Sequence, residues 1–130
     1  MSQPGTKWIA AAAGVEIGTG LVLIIRPSLF TWLLFGAPLP PAGQALGRLA
    51  GFALLALALA CWPRQSTAEA SRSALAALFG FSVLTAIYLV YLGIVRQLAG
   101  LLLWPAGALH LALAILLARA WLAGSQSGKQ

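Results

Sequence analysis

Apolar residues run almost unbroken through four stretches of the chain, at about 8–25, 44–62, 73–95 and 101–122. Each stretch approaches the roughly 20 residues that an α-helix needs to cross about 30 Å of hydrocarbon at 1.5 Å per residue. None shows the polar/apolar alternation of a membrane β-strand. In lipid every backbone amide and carbonyl must find its partner within the chain, which leaves the helix as the expected form. The pattern predicts an all-α integral membrane four-helix bundle, up-down-up-down, as one domain over residues 1–130.

The connections follow from Pro, Gly and Arg. Pro27 cannot continue the hydrogen-bond ladder of the first span, which ends at Arg26-Pro27-Ser28. Leu29 to Gly36 is apolar and aromatic but too short to cross, so a short interfacial helix is expected there. Pro38, Pro40 and Pro41 stiffen the link into the second span, Pro63 to Arg72 reads as a polar loop, and Arg96 to Gly100 as a tight turn. The fourth span opens between Leu98 and Pro105, with Pro105 suited to a first helical turn. Residues 124–130 read as a polar tail. The N-terminal segment lacks the layout of a cleaved signal peptide, its small residues preceding the apolar run instead of following it, and is expected to stay as the first span.

Composition agrees with burial in lipid. Hydrophobic residues make up 61% of the 130 positions and charged residues 8%, against about 45–50% and about 25% in soluble domains. Ten charged side chains cannot clothe a soluble globule of this size. The net charge of +6 comes from basic residues spread beside the apolar runs, without clustering or aromatic interleaving, which argues against nucleic-acid binding. An even number of crossings puts Lys7, Arg64, Arg72, Arg119 and Lys129 on one side and Arg26, Arg48 and Arg96 on the other. The excess of basic residues predicts both termini in the cytoplasm of a bacterium, the spans lying in its inner membrane. Trp8, Trp62 and Trp121 would then mark the cytoplasmic interface, and Trp32, Tyr91 and Trp104 the opposite one.

Small residues point to helix contacts. Ala10, Gly14 and Gly18 share one face of the first span, and Gly43, Gly47 and Gly51 one face of the second. Such faces let backbones approach closely. They are read as packing between these two spans or, alternatively, as a dimer face. Arg48 and His110, each soon after the start of its span, hint at a two-plus-two repeat.

The candidate chemistry lies in polar residues inside the apolar runs. Glu16 falls near the middle of the first span, with Thr19 one turn on. Arg48 falls about one turn inside the second. Tyr88 and Thr85 occupy the outer half of the third, and His110 the outer half of the fourth. An ionised group at mid-bilayer costs about 2.5–3.5 kcal/mol on insertion scales. A Glu16–Arg48 contact, with His110 or Tyr88 adding a hydrogen bond, would relieve that cost. Three readings stand: a buried ion pair that locks helices; a polar pocket that binds a small ligand or carries protons; and an Arg48 that snorkels to the headgroups, leaving Glu16 alone and neutral.

Other chemistry is poorly provided for. The chain has no aspartate, one cysteine (Cys61) and one histidine. It therefore offers no Ser-His-Asp set, no disulfide within the chain and no metal cage. Cys61, in an apolar run, reads as a small buried hydrophobe. His110 could supply one axial ligand to a haem, but a second histidine would have to come from another chain. No catalytic residue, metal or cofactor is expected.

Glu16-Ile17-Gly18-Thr19-Gly20, Gly47-Arg48-Leu49-Ala50-Gly51 and Ala60-Cys61-Trp62-Pro63 resemble segments of small bacterial four-helix membrane proteins of the DoxX-like type. Leu103-Trp104-Pro105 through His110, and Leu117-Ala118-Arg119-Ala120-Trp121, extend the likeness over nearly the whole chain. The resemblance implies a bacterial membrane subunit, in some cases close to a quinone. The expected function is that of a non-catalytic accessory or structural subunit of a membrane complex. Its partners would be lipid, further copies or other subunits. The alternative is a protein that handles a hydrophobic small molecule, a quinone or protons through Glu16, Arg48 and His110.

Overall fold

A computed structural model describes residues 5–63 and 67–127. It contains five helices: α1 (Thr6–Ile25), α2 (Pro27–Phe35), α3 (Pro41–Cys61), α4 (Ala68–Ile94) and α5 (Leu103–Ser127). Four of them, all but α2, are long and apolar enough to cross a membrane, as in a multi-pass membrane protein. Only 22–33% of each crossing window is buried inside the protein. The bundle is therefore held by narrow seams, and most of its apolar surface is left for lipid, which an aqueous protein of this size could not tolerate.

Local chemistry sets the ends. α1 stops where Pro27 removes an amide, and Arg26 leaves helical geometry at φ −138°, ψ 67°. The same proline opens α2, its missing N–H falling where no helical partner exists. Gly36 closes α2 in the left-handed region at φ 78°, its amide donating to the Trp32 carbonyl.

Three boundaries differ from the sequence expectation, two of them for a capping reason. α3 starts at Pro41 instead of near Gln44, because a proline at the first helical position is already set for helical φ. α4 starts at Ala68 instead of Ser73. Thr67 Oγ1 accepts a hydrogen bond from the Ala70 amide at 3.3 Å, Glu69 lies in the positively polarised first turn, and Ser73 Oγ donates to the Glu69 carbonyl. Much of the expected polar loop is thus the first turn of a helix. α5 runs on through Ser127, so the start of the expected tail is helical; residues 128–130 lie outside the described part.

The long helices associate chiefly as two antiparallel pairs, α1 with α3 and α4 with α5. Two apolar clusters hold the pairs together. At the end carrying the start of α1, Ile9 and Ala12 pack with Cys61, Leu75, Leu78, Leu113 and Leu117. At the other end Leu34 of α2 packs with Leu89 and Leu103. There α2 is tied to the α4–α5 turn by the Leu102 amide, which donates to the Leu33 carbonyl at 2.8 Å. Gln97 in that turn takes a left-handed conformation at φ 52°.

Candidate functional site

The seam between α1 and α3 fixes where the polar residues can meet. Gly20 and Gly51 face each other so closely that a Cβ on Gly51 would lie 2.7 Å from the Gly20 carbonyl oxygen. Gly47 sits against Pro27 and Leu23. This register brings Arg48 to the level of Ile24, and its Nε donates to the Ile24 carbonyl at 3.3 Å. Glu16 lies eight residues before Ile24, roughly 12 Å away along the axis. The expected Glu16–Arg48 pair is therefore not made. Arg48 is exposed at the rim, whereas Glu16 is 1% exposed inside the bundle. Depth estimated from the helix ends placed the two residues within reach, but the glycine contact that sets the register moves them apart.

Two other assignments change. Tyr88 is 59% exposed and stacks on Tyr91, ring centroids 6.2 Å apart, so it belongs to the outward face of α4 and not to the polar group. Gly14 and Gly18 are exposed, with nothing within 4 Å of where a Cβ would stand. The glycine of α1 that makes the seam is Gly20, two positions on from Gly18. Gly43 is crowded only by Leu39 and Pro40, its own neighbours in the chain. Nor are Arg48 and His110 equivalent positions in two repeats, since one is exposed and the other buried.

A buried polar level does exist, with a different membership. Glu16 lies one turn beyond Ala12 in α1, Ser82 one turn beyond Leu78 in α4, and His110 one turn before Leu113 in α5. Because α5 runs antiparallel to α4, each residue lies one helical turn from a member of the same apolar cluster, on the side away from the start of α1, which brings the three to a similar level. Glu16 and Ser82 are each 1% exposed and His110 is 7% exposed. His110 meets Phe81 edge to face, centroids 5.9 Å apart at 72°, and its Nδ1 is buried without a hydrogen-bond partner. Among the described residues no hydrogen bond or ion pair reaches the Glu16 carboxyl or the Ser82 hydroxyl. Thr31, also buried, is satisfied locally, donating to the Ser28 carbonyl.

Sequence reading missed Ser82, because an isolated serine in an apolar helix usually satisfies itself within its own turn. The uniformly apolar sequence of α4 offered no signal that its face turns inward.

Above this level, α4 and α5 enclose a half-open apolar groove of about 430 Å³. Its buried lining is Ala86, Leu89, Leu103 and Gly107, and the exposed Trp104 stands at its rim. Ala86 is one turn from Ser82, and Gly107 one turn from His110. The two lining residues one turn from the polar level, Ala86 and Gly107, are both small.

The arrangement offers a carboxyl, a hydroxyl and an imidazole without hydrogen-bond partners among the described residues in a buried interior, beside an apolar recess. It provides hydrogen-bond donors and acceptors and two groups, Glu16 and His110, able to take up or release a proton. No protein-family model, curated protein or solved structure matches the chain.

Proposed function

We propose that the protein binds a hydrophobic small molecule whose polar group is received by Glu16, Ser82 and His110, with its apolar part in the groove between α4 and α5. The observation that carries this reading is that Glu16 and the Nδ1 of His110 are buried at a similar level with no hydrogen-bond partner among the described residues. A buried polar group left unsatisfied costs about 1–3 kcal/mol, and an intramembrane ionisable residue marks a ligand or proton path more often than a structural accident. A quinone has the required form, with a flat polar head that exchanges hydrogen bonds and an apolar tail. Both termini lie in the cytoplasm, following the basic residues, and the membrane is the bacterial inner membrane.

The test uses the full chain purified in mild detergent and titrated with a short-chain ubiquinone, followed by quenching of tryptophan fluorescence. Saturable quenching by the wild type that is lost in Glu16→Gln and in His110→Phe supports the proposal. Absence of saturable quenching in the wild type, or quenching of both variants equal to that of the wild type, rejects it.

A second reading, a non-catalytic subunit of a larger membrane assembly, is favoured by the exposed Gly14 and Gly18, over which another helix could close. A stable oligomer or a co-purifying protein that Gly14→Leu disperses would support it.

A further inference from the structure

We propose that Arg48 and Arg26 form a clamp for the phosphate of a membrane phospholipid at the end of the bundle that carries α2. This site is separate from the buried polar level and does not rest on it.

The clamp begins with the break at Pro27. Because α1 ends at Ile25, the carbonyls of its last turn lack the amides that a continuing helix would supply. The Nε of Arg48 supplies one of them, donating to Ile24 across the α1–α3 seam. That bond fixes the plane of the guanidinium and leaves its four Nη hydrogens available. Among the described residues nothing else bonds to the Arg48 side chain, and nothing bonds to that of Arg26, which is exposed two residues beyond Ile24.

No carboxylate balances the two charges. The chain has only two acidic residues. Glu16 is enclosed roughly two turns below, and Glu69 lies in the first turn of α4, at the opposite end. The surface around the two arginines is apolar and outward-facing: Leu21 and Ile25 on α1, Leu46, Leu49 and Phe52 on α3. A guanidinium in such a setting requires an anion that arrives with hydrocarbon attached. A phospholipid provides both, its phosphate oxygens matching the planar fork of Arg48 and its acyl chains lying along Leu49 and Phe52. Arg48 lies seven residues inside the start of α3, about 10 Å along the axis. The held phosphate would therefore sit somewhat below the plane of its neighbours, as a retained lipid rather than a bulk one.

Delipidated full-length protein is examined by native mass spectrometry with phosphatidylglycerol and with diacylglycerol of the same acyl chains, each added in equal amount, and with inorganic phosphate as competitor. The wild type should retain phosphatidylglycerol and not diacylglycerol, and millimolar inorganic phosphate should not displace it. Arg26→Gln/Arg48→Gln should lower retention about tenfold, and Arg48→Lys should fall between, having charge but no fork. Correct folding of each variant is checked by protection of the Cys61 thiol.

Equal retention of diacylglycerol would mean that the chains alone bind. Displacement by inorganic phosphate would identify a free-anion site, and unchanged retention in the folded double variant would remove the arginines from the interaction. Any of these overturns the proposal. The wild-type comparison of the two lipids stands even if the double variant fails to fold.

Discussion

Replacing Gly51 by alanine is the sharpest perturbation of the α1–α3 seam. The added methyl would stand 2.7 Å from the Gly20 carbonyl oxygen, 2.8 Å from Ile24 Cγ1 and 3.2 Å from the Ile24 amide nitrogen. Two of these neighbours are backbone and cannot rotate aside, so relief requires α1 and α3 to part by roughly 0.5–1 Å. A gap of that size forfeits about a quarter to a half of each contact's attraction along the seam. Overpacking of this kind costs about 1–3 kcal/mol.

Alanine also gains about 1 kcal/mol over glycine in a helix interior. The informative quantity is therefore a difference from Gly18→Ala, which has the same propensity gain but meets nothing within 4 Å. The two variants should differ by about 1–3 kcal/mol, Gly51→Ala being the less stable. Unfolding by sodium dodecyl sulfate in mixed micelles, followed by tryptophan fluorescence, reads both. If the two midpoints coincide, the glycine contact does not set the register, and the separation of Glu16 from Arg48 loses its cause.

Three further outcomes follow from the same geometry. Glu16→Leu should leave stability unchanged or raise it while abolishing ligand binding, because an apolar side chain of similar size replaces a partnerless carboxyl; destabilisation beyond about 1 kcal/mol would reveal a partner that holds helices together. Cys61 is buried in the apolar cluster, so a membrane-permeant maleimide should label it only after denaturation, and rapid labelling of the folded protein would contradict that packing. Gly100→Ala should release the α4–α5 turn from α2, since its Cβ would fall within the backbone of Leu33 and Leu34. Faster hydrogen exchange at the Leu102 amide, which donates to Leu33, is the measurement, and an unchanged rate would refute it.

The helices were legible in the sequence because membrane insertion depends on a summed quantity: some 20 apolar residues in a row decide the outcome whatever their order. Pro27 marked the end of the first span and Pro105 a first helical turn because a missing amide acts locally, whereas Pro41 read as part of the linker although it opens α3. Partnership between helices was harder to read. Gly18 and Gly20 look alike in the chain, yet only Gly20 meets α3, because two residues turn a helix through about 200° and no strong periodicity in these uniformly apolar spans says which face turns inward. The same ambiguity concealed Ser82, put Tyr88 inside and paired Glu16 with Arg48.

The failed pairing carries the stronger argument about the site. Had Arg48 neutralised Glu16, the carboxyl would be explained by structure alone, as half of an ion pair that joins two helices. With Arg48 turned to the Ile24 carbonyl and the rim, nothing in α3 offsets the burial of Glu16. His110 in turn gains only an edge contact with Phe81 while its Nδ1 goes unmatched. Three helices each bring a polar group to one depth, and each group is more expensive there than the leucine or alanine that surrounds it. A fold assembled for stability alone would have placed apolar side chains at all three positions, and that excess cost is the ground on which the level is proposed as a ligand site.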